Sequence, residues 1–160
     1  MGKSPPPDET VLLFELKKRY LAVNFIGLGL ISTVFLYAAL VELVKRGYLL
    51  GPLEQPLPAS LSSLLFSVFL ALAAVIFLFA RVLHRRVAAK NPRLLPPIAI
   101  AILALSEIPA VLGLVLFLLS RQSIYFYSLM CASLTLFYLF FPRYDQWEQM
   151  VLADQKTGAE

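Results

Sequence analysis

Residues 94–119, LLPPIAIAILALSEIPAVLGLVLFLL, form a 26-residue run with one ionisable side chain, Glu107, near its middle and Pro109 two residues later. A hydrocarbon core about 30 Å thick is crossed by a helix of roughly 20 apolar residues, so this run predicts a transmembrane helix. Three more stretches qualify: Tyr20 to Val41, running out near Val44, Leu57 to Ala80, and Gln122 to Phe141, none with a charged side chain. Lipid cannot satisfy an open backbone, so the spans must be helices or a closed barrel, and none alternates polar with apolar as barrel strands do. The expected fold is an all-α polytopic membrane protein, a four-transmembrane-helix bundle with short loops.

Composition agrees. Of 160 residues 59% are hydrophobic and 15% charged, and the spans take more than half the chain. That leaves room for short loops and tails rather than a soluble catalytic domain, and it places the activity in or at the membrane. The bilayer itself is the first expected partner.

Basic residues near the spans set orientation, because they are retained on the cytoplasmic side. With four spans, the N-terminus, the second loop and the C-terminus share one face, and that face carries eleven of the 14 Lys and Arg residues. The other face has Lys45, Arg46 and Arg121. Both termini are expected inside, in a cell inner membrane. The pI near 9.3 then reflects topology and anionic headgroups; no basic, aromatic-interleaved surface supports nucleic-acid binding. The opening MGKSPPPDET lacks the pattern of a cleavable signal, so span one is expected to be retained.

Between Thr10 and Tyr20 apolar and charged residues mix, as in an interfacial helix that turns into the first span; residues 1–19 are read as a cytoplasmic tail. Pro52, Pro56 and Pro58 with Gly47 and Gly51 mark the first loop, and Asn91-Pro92 closes a basic second loop. Pro96 and Pro97 suit the first turn of span three. A third loop of about Ser120 to Gln122 forces spans three and four into a hairpin. Pro142 ends span four, residues 142–160 forming a second cytoplasmic tail, and Tyr144 with Trp147, and Tyr125 with Tyr127, suit interfacial aromatic belts.

Small residues predict helix contacts, since association in lipid relies on close packing. Ser63, Ser67, Ala71 and Ala74 form one stripe in span two; Asn24, Gly27, Gly29 and Thr33 in span one and Ser128, Ala132 and Thr135 in span four are others. Cys131 reads as a small packing residue. Ser32, Thr33, Ser67, Glu107, Cys131 and Ser133 fall at one depth, predicting a polar layer at the midplane.

Glu107 costs about 2.5–3.5 kcal/mol at a helix centre, against a return of about 0.3–0.6 from each Leu, Ile, Phe or Val. Span three has sixteen of those residues, so insertion is no obstacle. Charging the carboxyl in oil is, and Glu107 is expected to rest uncharged. Pro109 has no N–H, so the Leu105 carbonyl loses its helical partner and the helix is expected to bend. That carbonyl and Ser106 are the expected companions of Glu107 in an ion-binding site.

Two stretches carry a resemblance. AKNPRL, Ala89 to Leu94, followed by SEIPAVLGLVLFLL resembles the hairpin of the membrane-rotor proteolipid, subunit c, of rotary ATP synthases. The resemblance implies that Lys90, Asn91 and Pro92 match that family's cytoplasmic loop and Glu107 its ion-binding carboxyl. Lys90 stands where the family usually has arginine, and span two lacks the glycines of a tight rotor ring. The whole chain is also similar to bacterial four-span, proteolipid-like proteins that end in Phe-Pro-Arg and an acidic-aromatic tail, here Phe141-Pro142-Arg143 to Trp147-Glu148. No settled function comes with that group.

Two roles follow: binding or helping to translocate a proton or cation at Glu107, or serving as a structural or assembly subunit beside other membrane subunits or further copies of itself. An enzyme is the weakest reading. There is no His pair for haem, no Cys cluster, no Ser-His-Asp set and no acidic metal cluster, and hence no cofactor or metal site is expected. His84 beside Arg85 and Arg86 suits headgroup phosphates, and Glu42 with Arg46 suits a surface ion pair. Asp145, Glu148 and Asp154 are expected to be solvated or to meet a partner.

Overall fold

The computed structural model describes residues 9–48, 56–88 and 95–144. They form four helices: α1 (Glu9–Lys45), α2 (Ala59–Ala88), α3 (Leu95–Ser120) and α4 (Ser123–Phe140). No strand occurs among the described residues, and all four helices are long and apolar enough to cross a bilayer. This is an all-α, four-helix, multi-pass membrane protein. The 18 residues of α4 rise about 27 Å, close to one hydrocarbon thickness. The 37 residues of α1 rise about 55 Å, and the helix is unbroken, so Thr10 to Tyr20 runs straight on into the span with no turn between them.

Helix ends follow local chemistry. At α1 the Gly47 N–H donates to Val44 O and the Tyr48 N–H to Leu43 O, both at 3.1 Å, with Gly47 at φ +78°. This paired arrangement satisfies the last carbonyls and requires a left-handed residue, which only glycine adopts without strain. The α3–α4 link is two residues, Arg121 and Gln122, with Arg121 at φ 60° and its N–H bonded to Phe117 O at 2.7 Å. The Leu57 N–H donates to Leu119 O at 3.1 Å, fastening the chain before α2 onto the end of α3. Pro96 and Pro97 lie in the first turn of α3, where their missing N–H groups are unneeded.

Helix α3 is the hub and touches the other three. Of its most apolar window 44% is buried inside the protein, against 17% for α1 and α2 and 28% for α4. The hairpin is close because Gly113 faces Phe126 and Leu129: a Cβ there would lie 3.0 Å from Leu129 Cβ and 3.3 Å from the Phe126 backbone. Leu103, Ala110 and Phe117 of α3 share a buried core cluster with Phe126, Met130 and Phe137 of α4, and Ile102, Leu116 and Leu129 are buried as well.

The stripe expected to pack α2 does not. Ser63, Ser67, Ala71 and Ala74 are exposed, and α2 buries Ser62, Ala73, Ile76 and Ala80 instead. Gly29 is likewise open, with nothing within 4 Å of a built Cβ, whereas Gly27 is pressed against the Phe141 ring. Cys131 is exposed rather than packed. The reason is shared: bulky apolar side chains fill the α3 surface, so neighbours meet it through whichever residues fit, and small residues elsewhere simply face outward.

Candidate functional site

Glu107 sits twelve residues after the start of α3 and thirteen before its end, at mid-helix. Its Oε1 accepts a hydrogen bond from the Tyr37 hydroxyl of α1 at 2.9 Å, and both side chains are partly buried. A tyrosine well inside a span must find a polar partner for its hydroxyl, and a carboxyl in oil must find a donor; each meets the other's need. The contact also fixes α1 against α3, since α1 has few other polar ties to the bundle.

The expected companions are arranged differently. Ser106 is fully buried, and its hydroxyl donates to Ile102 O of its own helix at 2.8 Å. Its carbonyl accepts from the Ser133 hydroxyl of α4 at 2.6 Å. Adjacent residues on a helix point about 100° apart, so Ser106 serves the α4 side while Glu107 serves the α1 side. The Leu105 carbonyl, the other expected companion, points along the helix axis toward Pro109, four residues on. Helix α3 continues as one element through the buried Pro109. The Ser106 carbonyl that Ser133 bonds is one residue on from Leu105, in the turn that the proline ring perturbs.

A second carboxyl is tied in the same manner. Glu42 Oε1 accepts from the Tyr127 hydroxyl of α4 at 2.5 Å and from Lys45 Nζ at 3.0 Å. The ion pair is therefore Glu42–Lys45, not the expected Glu42–Arg46. Arg46 continues the backbone ladder, its N–H bonding Glu42 O at 3.1 Å, while Lys45 supplies the side-chain contact. Tyr37 and Glu42 thus give α1 two phenol–carboxyl ties, one to α3 and one to α4, about 7.5 Å apart along the helix.

The expected midplane layer splits in two. Of its members Glu107 and Ser133 face inward, where they meet Tyr37 and the Ser106 carbonyl, and Cys131 is exposed. Ser32, Thr33 and Ser67 turn outward and bond the carbonyls of Leu28, Gly29 and Ser63 on their own helices, at 2.8–3.0 Å. At the termini end Tyr20 donates to Pro142 O at 3.4 Å and meets the Tyr144 ring edge-on at 5.3 Å. Tyr125 stacks on Phe66 of α2 at 4.9 Å near the opposite end. The Asn24 amide oxygen is buried with no hydrogen-bond partner among the described residues.

Tyr37 escaped the sequence reading. Its signal was available: a hydroxyl eight residues from the end of α1, inside an apolar span. Lys90, Asn91 and Pro92 lie outside the described residues, as do Trp147, Glu148 and the side chain of His84. Among the described residues no group of three His, Cys, Asp or Glu side chains is placed to hold a metal. Comparison with family models, curated proteins and solved structures finds no match for this chain.

Proposed function

We propose that Glu107 is a proton-binding carboxyl and that the protein moves or senses that proton across the inner membrane, with both termini cytoplasmic. The observation that carries this reading is the Tyr37–Glu107 hydrogen bond at mid-membrane. The phenol occupies Oε1 and leaves Oε2 for the exchangeable proton. A proton suits the surroundings better than a metal cation, which needs several oxygens at once. The Ser106 and Ser133 hydroxyls are both committed to carbonyls. The likeness of Lys90-Asn91-Pro92 and of SEIPAVLG to the rotor proteolipid hairpin supports the same role for Glu107. Nothing in this role calls for a cofactor or for covalent catalysis.

A second reading has its own observation. Since Glu42–Tyr127 repeats the phenol–carboxyl pairing, both pairs serve equally well as ties that hold α1 in an assembly subunit. Dicyclohexylcarbodiimide, which modifies protonated carboxyls in lipid, separates the two. Proton binding predicts pH-dependent labelling of Glu107 in native membranes and proton flux into liposomes that Glu107→Gln abolishes. Absent labelling, with flux unchanged in Glu107→Gln and association with other subunits lost, would leave the assembly role.

A further inference from the structure

At the termini end, α1 and α4 enclose an open groove of about 440 Å³. Leu28 and Ile31 of α1 and Leu134, Phe137 and Phe141 of the α4 side line it, with Tyr138 and Arg143 as its polar members. We propose that this groove is a phospholipid site, in which one acyl chain lies along the apolar wall and Arg143 holds the phosphate.

Depth and charge support that occupant. From Leu134 to the end of α4 at Phe140 is six residues, about 9 Å of helix rise, and the extended step at Phe141 carries the chain on to Arg143, so the apolar wall ends in a cation. Arg143 follows directly on Pro142, at the level where the Tyr20 hydroxyl meets the Pro142 carbonyl. It is exposed and makes no ion pair among the described residues. Lys17, Lys18 and Arg19 are exposed within one turn of the same level. Glu15 is the acid of that region whose side chain is described, so among the described side chains the bases outnumber it there. A phosphodiester is the anion that arrives at this level with a chain attached. Gly27 lets the Phe141 ring seat closely against α1 as part of the groove wall, 3.0 Å from where a Cβ would stand. This site is independent of Glu107 and of any role assigned to it.

The test uses the full chain in phosphatidylcholine nanodiscs containing phosphatidylglycerol with a photoreactive group midway along one acyl chain. Cross-links are expected at Leu28, Ile31 and Leu134 in preference to the outward-facing Leu64, Leu72 and Val75 of α2. Arg143→Gln, a change at an exposed side chain that leaves the bundle intact, should lower groove labelling by about fivefold, the effect of one basic side chain at an anionic headgroup. Leu134→Trp should fill the groove and shift the cross-links elsewhere. Labelling spread evenly over α2 and α4, indicating only an annular shell, would overturn the site. So would labelling indifferent to Arg143→Gln, or a groove protected from lipid by a second copy of the chain.

Discussion

Tyr37 and Glu107 stand 70 positions apart in the chain and 2.9 Å apart in space, the phenol of α1 donating to the carboxyl at the middle of α3. Such a bond is worth about 0.6 kcal/mol on average and up to about 1.7 in bilayer proteins, because an unfolded helix in lipid also finds partners. Tyr37→Phe removes the donor while keeping the ring. A double-mutant cycle of Tyr37→Phe with Glu107→Gln, read by reversible unfolding in mixed micelles, should give a coupling energy within that range. A coupling indistinguishable from zero would mean that the two side chains do not act on each other.

The spans were legible in the sequence because apolar length is a one-dimensional signal. Even the end of α1, expected near Val44 and found at Lys45, and the short link to α4 could be read from Gly, Pro and short polar interruptions. The packing faces were not legible, for a physical reason. In water a buried face is apolar and an exposed one polar, whereas in lipid both are apolar and periodicity carries no direction. Small residues were the substitute clue; they succeeded at Gly27 and failed at Gly29 and at Ser63, Ser67, Ala71 and Ala74. Glu107 announced itself by its cost, but its partner lay two helices away.

Glycines offer a paired test of packing. Gly113 faces the Phe126 backbone at distances that leave no room for a side chain, and backbone cannot swing aside. Gly113→Leu should therefore force the hairpin apart and destabilise by about 1–3 kcal/mol, as overpacked substitutions do. Gly29 looks onto open space, so Gly29→Ala should be neutral or stabilise by about 0.4–1 kcal/mol through reduced freedom of the unfolded chain. Helix content against temperature in detergent distinguishes the two.

The outward stripe on α2 makes a third contrast. Ser62 is fully buried and its hydroxyl bonds Pro58 O at 3.1 Å, while Ser67 is exposed and bonds only Ser63 O. Ser62→Leu should lower the unfolding midpoint, and Ser67→Leu should leave it within about 0.5 kcal/mol of the parent. If Ser67→Leu instead dissociates an oligomer during sizing in mild detergent, the stripe packs between copies of the chain.

At the far end of α1, Glu42 has two donors of unequal consequence. Lys45 is a neighbour on the same helix, half exposed, and a pair so open to solvent contributes little to stability. Tyr127 comes from α4 and shares the fixing of α1 with Tyr37. Tyr127→Phe should therefore cost more stability than Lys45→Met, and raised salt should diminish the Lys45 effect alone. Equal losses would mean that the phenol contributes no tie between helices.

Asn24 supplies the case where removing a polar group should help. Its amide oxygen is buried without a partner among the described residues, and an unmet buried acceptor carries a desolvation cost of about 1–3 kcal/mol. Asn24→Leu replaces the amide with a group the apolar surroundings accept, so unfolding in mixed micelles should shift to a higher midpoint. Asn24→Asp keeps the shape, adds a charge that the same surroundings reject, and should shift it lower. The sign of the leucine variant decides the matter: if it too is destabilised, the amide is bonded to something beyond the described residues, and Asn24 belongs with Tyr37 and Glu42 among the polar ties of α1.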